Sequence, residues 1–264
     1  MPRSALRDQL YDRYRAAAPL PTGGRVEEKQ YRTAQLTALI RTHFPADLQA
    51  RILDLGCGAG VLLERAKELG YRDVRGVDRS PEQVAEARSA GLTEVVEGDA
   101  LAHLTHLPAE SLDCLVAFDV LEHVSKPELH AWMMAIHRAL ADEGRLILHL
   151  PNGASPLGGR VVHGDLTHET VFTGRSIAQL LAAYGFQKIS CHEDRPVGAK
   201  ARVRLRRLGW QLIRFLLRLA IAVETGDRDP QMVLTQTFYC VAVRGRSALP
   251  PPPSSATATE KPLL

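Results

Sequence analysis

Residues 52–60 read Ile-Leu-Asp-Leu-Gly-Cys-Gly-Ala-Gly, and they constrain the fold more than any other stretch of the chain. Ile52 to Leu55 have the character of a buried strand. Three glycines then fall within five positions, and Val61-Leu62-Leu63-Glu64-Arg65-Ala66 reads as the start of a helix. A strand, a glycine-rich turn and a helix build a backbone cradle for a nucleotide-like ligand. Glycine supplies positive φ and lets a ligand lie against the chain with no Cβ between them. The dinucleotide fingerprint G-x-G-x-x-G needs a third glycine at position 61, which is Val61 here. The pattern is instead D-x-G-x-G-x-G, with Asp54 two residues ahead of the first glycine. A carboxylate there repels a pyrophosphate and suits a cationic or amine-bearing ligand. Hydride transfer from a bound dinucleotide is therefore disfavoured.

The rest of the chain alternates apolar β-like runs with helical periodicity. It predicts helices at about 28–43, 60–69, 81–90, 127–141 and 175–184, and strands at 51–55, 73–78, 93–97, 112–118, 144–150, 186–193 and about 232–244. Such alternation gives parallel β-α-β units. The continuous apolar runs Leu112 to Phe118 and Leu146 to Leu150 fit strands covered on both faces. The expected fold class is α/β: a doubly wound, mostly parallel seven-stranded sheet, Rossmann-like, with a helical insert before the last strand. Residues 1–246 are expected to form one domain with an insert or lid at about 195–228, and Pro-rich 247–264 a disordered tail.

Composition excludes little but points one way. The 264 residues carry 33 basic and 30 acidic side chains, and the net +3 does not mark a nucleic-acid binder. Cys57, Cys114, Cys191 and Cys240 lie far apart with no C-x-x-C pair, which argues against a zinc site or disulfide framework and fits a reducing cytoplasm. No apolar run follows Met1-Pro2-Arg3-Ser4, and no stretch of 18 uncharged apolar residues occurs. Neither a signal peptide nor a transmembrane helix is expected. The expected location is the cytoplasm, with the inner face of the membrane open through the insert described below.

Ligands of open α/β sheets bind at the carboxyl ends of the strands. Those ends carry Asp54, Asp78, Asp99, Asp119 and Pro151. Asp78 closes Val74-Arg75-Gly76-Val77-Asp78, where a carboxylate can accept both hydroxyls of a ribose. Asp99, in Val95-Val96-Glu97-Gly98-Asp99-Ala100, is placed to accept from an exocyclic amine such as adenine N6. Either acid has a plainer reading as a cap of the following helix, and Ser80-Pro81 is itself a good cap pair. Together, in order and at strand ends, the three elements point to an adenosyl ligand.

The order ILDLGCGAG, GVD, GDA and FDVLEHV resembles the class I S-adenosylmethionine-dependent methyltransferases over about residues 28–190. The resemblance implies that Gly56, Gly58 and Gly60 surround the methionine part of S-adenosylmethionine. It puts Asp54 near the methionyl amine, Asp78 on the ribose and Asp99 at the adenine, with Ala100 and Phe118 in the same cofactor set. The implied reaction is an in-line displacement at the sulfonium methyl group, which demands alignment and a deprotonated acceptor.

The acceptor side begins at Phe118-Asp119-Val120-Leu121-Glu122-His123-Val124. A helical turn there would put Asp119, Glu122 and His123 on one face. Two carboxylates and an imidazole can hold a divalent ion, with His168 from the loop after the fifth strand as a fourth ligand. The spacing is similar to that of the polyprenyl-dihydroxybenzoate O-methyltransferases of the ubiquinone pathway and of the small-RNA 3′-terminal 2′-O-methyltransferases. Both act on adjacent hydroxyls, and both usually have Glu where this chain has Asp119. The metal-free alternative has Glu122 contacting the loop backbone, His123 packed and His168 as general base; many metal-free relatives also carry Leu-Glu-His-Val. His149 reads as structural, and His103, His106 and His130 as solvated surface.

Residues 195–223 contain no acid and eight basic side chains, namely Arg195, Lys200, Arg202, Arg204, Arg206, Arg207, Arg214 and Arg218. From Leu205 onward they are also strongly apolar. On a helix, Arg207, Gln211, Arg214 and Arg218 form one narrow polar stripe, and the remainder must be buried against something. The insert reads as a lid or homodimer helix whose arginines reach solvent, as a peripheral membrane contact through 205–223 near a lipid-linked acceptor, or as a phosphate-recognition element. Scarce aromatic residues there argue against nucleic acid. The loop from His168 to Phe172-Thr173, the Gly185-Phe186 strand start and the insert resemble bacterial methyltransferases of glycan and lipid metabolism. The resulting expectation is O-methylation of a small-molecule or glycan acceptor, leaning to a sugar or glycan-precursor hydroxyl. A quinone precursor, or another small molecule methylated on oxygen or nitrogen, is the enzymatic alternative. A catalytically silent cofactor-binding docking module is the alternative from another class.

Overall fold

The computed structural model describes residues 25–246 apart from 199 and 230, so the expected tail at 247–264 lies outside the described residues. In chain order the elements are α1 (Arg25–His43), β1 (Arg51–Leu55), α2 (Val61–Glu68), β2 (Asp73–Asp78), α3 (Pro81–Ser89), β3 (Val95–Glu97), α4 (Ala100–His106), β4 (Leu112–Phe118) and a 3-10 turn (Leu121–His123). They continue with α5 (Lys126–Ala139), β5 (Leu140–Pro151), α6 (Gly159–Val162), α7 (Gly174–Ala183), β6 (Phe186–Glu193), α8 (Ala201–Thr225) and β7 (Thr237–Arg244). The seven strands form one sheet in the order β3-β2-β1-β4-β5-β7-β6. The first five run parallel, and β7 is antiparallel to both its neighbours. The order reverses between β1 and β4, which is where such sheets open a ligand crevice.

Side chains alternate across each strand and feed two cores. Leu53 and Leu55 pack with Met133, Ile136 and Phe238 on one face, while Ile52 packs with Ile40, Leu63 and Val84 on the other. Helix starts are fixed by local chemistry: Ser80 and Pro81 open α3, a Ser125–Glu128 capping box opens α5, and Thr173 caps α7. The expected bounds of β1, β2, β4 and β6 match the observed ones.

Several features differ from the sequence expectation, among them the start of β7 at Thr237 rather than about 232 and the short helix α6. Helix α4 was not anticipated. Strand β5 begins at Leu140 rather than 144, because α5 runs directly into it. Cys191 and Cys240 are far apart in sequence yet stand opposite one another on β6 and β7, both as free thiols. The insert does form a helix of 25 residues, but its only buried side chain is Val203. Its arginine stripe also turns inward: Arg214 Nε lies 3.0 Å from Glu193 Oε1, and Arg218 Nη2 donates to the Met232 carbonyl at 3.3 Å. Glu193 draws the cations in, so the apolar side faces out. Among the described residues, no helix is long and apolar enough to cross a membrane.

Candidate active site

The glycine turn joins β1 to α2 at the switch point. Gly56, Gly58 and Gly60 have φ of 66°, 55° and 79°, values that side-chain-bearing residues rarely adopt. Gly56 N and Cys57 N donate to the Val77 carbonyl at 2.8 and 3.1 Å, which stitches the turn to β2. Asp78 completes the seam: Gly58 N donates to Oδ2 at 2.7 Å and Ser80 N to Oδ1 at 2.8 Å. A carboxylate has about four lone-pair sites, so two remain for the hydroxyls of a ribose. A Cβ at Gly60 would lie 2.4 Å from Leu92 Cδ1, so this glycine serves packing. A Cβ at Gly58 would meet nothing nearer than the Gln83 amide at 3.8 Å, so this glycine keeps open space along the turn. Asp54 is 4% exposed beneath the turn. These features fit an adenosyl ligand bearing an amine.

Asp99 also acts on the backbone, since its side chain accepts from Ala102 N at 3.0 Å and caps α4, whose first residue is Ala100. The helix-cap reading thus holds for Asp99, without removing it from the strand-end crevice. Phe118 is half-buried at the end of β4, its ring 5.6 Å from that of His149 and 5.7 Å from that of Tyr239.

Asp119 corrects an expectation. It stands at φ 54°, just before the 3-10 turn, and its Oδ1 lies 2.7 Å from His149 Nδ1. The left-handed backbone and this bond turn the carboxylate toward β5, so it does not join Glu122, His123 and His168. His149 is correspondingly more than structural packing. Its Nε2 lies 3.7 Å from Asp194 Oδ2, and Asp194 is held in turn by Gln35 Nε2 at 2.7 Å and by Thr237 Oγ1 at 3.1 Å. Burial pushes the His149 pKa down, but Asp119 and then Asp194 outweigh it and hold it at about 10. The imidazolium form therefore persists at neutral pH. Sequence reading missed Asp194 and Gln35; the strand-end rule that found Asp78 also marks Asp194, which directly follows β6.

Glu122, His123 and His168 do come together, each offering a ligand atom within 4.8 Å of the others. The loop carrying His168 is tied to the 3-10 turn, because Glu169 N and Thr170 N both donate to the Glu122 carbonyl, at 2.8 and 2.9 Å. His168 Nδ1 lies 2.9 Å from the Val162 carbonyl, and His123 Nδ1 3.2 Å from the Thr167 carbonyl. A carbonyl can only accept, so each Nδ1 carries a proton, and in the neutral ring Nε2 is the atom that keeps a lone pair. Burial, then the neighbouring His168, lowers the His123 pKa and favours its neutral form. The Glu122 carboxyl is 2% exposed, and among the described residues neither of its oxygens has a hydrogen-bond partner. Burial, reinforced by Asp119, raises its pKa well above the usual carboxylate range. Two imidazoles whose Nε2 atoms are not used by these carbonyls can take a proton from a hydroxyl, or can join the Glu122 carboxylate round a cation. Of the other histidines, His106 and His130 are exposed as expected, whereas His103 is half-buried.

A family model described as a methyltransferase domain matches residues 27–191. The chain is 38% identical over 107 residues to a ubiquinone biosynthesis O-methyltransferase from Xanthomonas oryzae pv. oryzae, covering 39% of this chain and 44% of that protein. It is 32% identical over 139 residues to a tRNA U34 carboxymethyltransferase from Photorhabdus laumondii, covering 50% of this chain and 39% of the relative. The matched region is thus less than half of each relative's own length. Among solved structures, a SAM-dependent methyltransferase from Archaeoglobus fulgidus superposes with TM-score 0.59 at 19% identity, over 83% of this chain and 98% of that one. A Haemonchus contortus phosphoethanolamine N-methyltransferase in complex with S-adenosyl-L-methionine gives 0.55 at 16% identity, over 80% of this chain and 52% of that one. At such identities these two establish the likeness of fold.

Proposed function

The chain belongs to the methyltransferase-domain family, and from that premise we propose that it transfers a methyl group from S-adenosylmethionine to a hydroxyl acceptor. The observation that carries the reading is an open glycine turn after β1 together with His123, after β4, and His168, after β5, whose Nδ1 atoms both face backbone carbonyls. The cofactor would supply an electrophilic sulfonium methyl. On the protein side, Gly58 leaves room along the turn, Asp78 holds the turn while keeping two acceptor sites, and Asp54 provides the countercharge for an amine. His168 Nε2 takes the acceptor's hydroxyl proton as the new C–O bond forms and the C–S bond breaks. His168 ends as imidazolium, and the products are a methyl ether and S-adenosylhomocysteine. A general base of this kind contributes about 10²–10⁴-fold, so His168→Ala is expected to lower kcat by that order while leaving cofactor affinity unchanged.

A sugar or glycan-precursor hydroxyl is the acceptor we put first. Phenolic quinone precursors come second, favoured by the likeness to a ubiquinone biosynthesis O-methyltransferase. Incubation of both acceptor classes with methyl-labelled cofactor, followed by mass spectrometry of the products, separates them; labelled amine products alone would overturn the hydroxyl assignment.

The orphaned Glu122 carboxyl favours a second reading of the same residues. One hard oxygen donor and two imidazole nitrogens suit a divalent cation of borderline softness. Glu122, His123 and His168 would hold it, and it would supply Lewis-acid activation of the hydroxyl. Chelator decides between the readings: activity that survives it belongs to His168 as base, and activity lost with it and restored by added divalent ion belongs to the cation.

A further inference from the structure

Helix α8 faces the protein with its charged stripe and faces outward with its apolar one. On the inner side Arg214 meets Glu193 at 3.0 Å and Trp210 Nε1 donates to the same carboxylate at 3.5 Å. On the outer side Leu205, Leu208, Leu212, Phe215 and Leu219 are between 53% and 72% exposed. These five and half-buried Ala222 advance by 3, 4, 3, 4 and 3 residues, the alternation of a two-helix seam. The stripe is about 25 Å long at 1.5 Å per residue, and a contiguous apolar surface of this kind marks an interaction site.

We propose that this face pairs with the same face of a second copy of the chain, the two α8 helices running antiparallel in a two-fold dimer. Two observations select that occupant. The first is that the stripe is symmetric about its midpoint, between Ile213 and Arg214. Antiparallel pairing sets Leu212 against the partner subunit's Phe215, Leu208 against the partner subunit's Leu219, and Leu205 against the partner subunit's Ala222. An interface between identical copies related by a two-fold axis needs that self-complementarity; a lipid surface does not. The second is the direction of charge. Exposed Lys200, Arg202, Arg204 and Arg206 crowd the N-terminal end, while at the C-terminal end exposed Glu224, Asp227 and Asp229 outnumber the one exposed cation, Arg228. Antiparallel helices put each basic end beside an acidic one and oppose their dipoles favourably. On the other side, α8 is tied to the protein through Trp210, Arg214 and Arg218, which leaves the seam open to a second helix.

Sedimentation equilibrium of the full chain at tens of micromolar is expected to give twice the chain mass, and Leu212→Glu with Phe215→Glu to halve it with an unchanged far-ultraviolet circular dichroism spectrum. Orientation is read by cysteine trapping against the unaltered chain. Leu208→Cys and Leu219→Cys are expected to form a disulfide-linked dimer when mixed under oxidation, and neither to do so alone. A wild-type chain that sediments as a monomer, or a Leu208→Cys chain that links efficiently to itself, overturns the proposal. Flotation of the full chain with phosphatidylglycerol vesicles, abolished by the double substitution, overturns it in favour of a membrane surface.

Discussion

Gly60 and Gly58 separate two uses of the same residue type. At Gly60 an added Cβ combines left-handed strain with a 2.4 Å approach to Leu92. Gly60→Ala is expected to cost about 2–4 kcal/mol of stability, read as a lower urea midpoint. Gly58 has φ 55° but no neighbour nearer than 3.8 Å. Gly58→Ala should cost only about 1–2 kcal/mol of folding stability but lower cofactor affinity at least about tenfold by calorimetry. Equal affinity losses in the two variants would remove the distinction. The His149 imidazolium gives a prediction with a definite sign. Its pKa is held near 10 against an ordinary 6.5. A raised pKa stabilises the fold fully below the unfolded value, and that contribution is lost as pH rises through the folded value. Melting temperature should therefore decline between about pH 6.5 and 10, and His149→Gln should flatten that decline; an unflattened profile would show that the charge is not held there. Asp78 was legible because it closes the strand that follows the glycine turn, 18 residues after Gly60. The His149 network was not, because Asp119, His149 and Asp194 come from three different strands and no local pattern links them.

Among the elements, the central strands were the most legible, since cover on both faces dictates the near-continuous apolar character of β1 and β4. Helix α4 escaped because its seven residues are too short to show a period, and a cap residue alone does not mark a helix. Strand β5 escaped at its start, where Ala141-Asp142-Glu143-Gly144 interrupt the apolar run and the register with β4 shifts. The orientation of α8 was illegible for a different reason. Periodicity reveals which residues share a face, not which face meets the protein. A single residue on another element, Glu193, decides it: its side chain is 3% exposed and meets Arg195 and Arg214 at 2.8 and 3.0 Å. Glu193 is the buried member of both pairs, and its loss leaves the half-exposed Arg195 and the partly buried Arg214 without their shared partner. Glu193→Ala is therefore expected to release α8, and limited trypsin digestion should cut first at the Arg202–Arg207 cluster. Cleavage at the wild-type rate would mean that apolar contacts, not Glu193, hold the helix.

At the scale of the whole molecule, the proposed cofactor and the fold are linked by mass action. A ligand present at a hundred times its dissociation constant stabilises the folded state by about 2.7 kcal/mol. For a chain of this size that raises the melting temperature by about 5–10 °C. S-adenosylmethionine should produce such a shift in the wild type. Asp78→Ala loses hydrogen bonds to a charged group that are worth about 1.5–3 kcal/mol, so most of the shift should vanish at the same ligand concentration. A shift of equal size in both chains would detach Asp78 from the cofactor.

Among the described residues, strand β7 follows every other strand yet lies inside the sheet, between β5 and β6. During synthesis, β6 leaves the ribosome with no strand to pair with, and β5 waits with an open hydrogen-bonding edge. Phe238, Cys240 and Ala242, all fully buried, reach the core only at that last step. Nascent chains arrested before Thr237 are expected to stay protease-sensitive and prone to edge-to-edge association, and those extended past Arg244 to become resistant in one step. Strand β7 works as a clasp: eight residues join two strands that have no contact with each other through the sheet until it is in place.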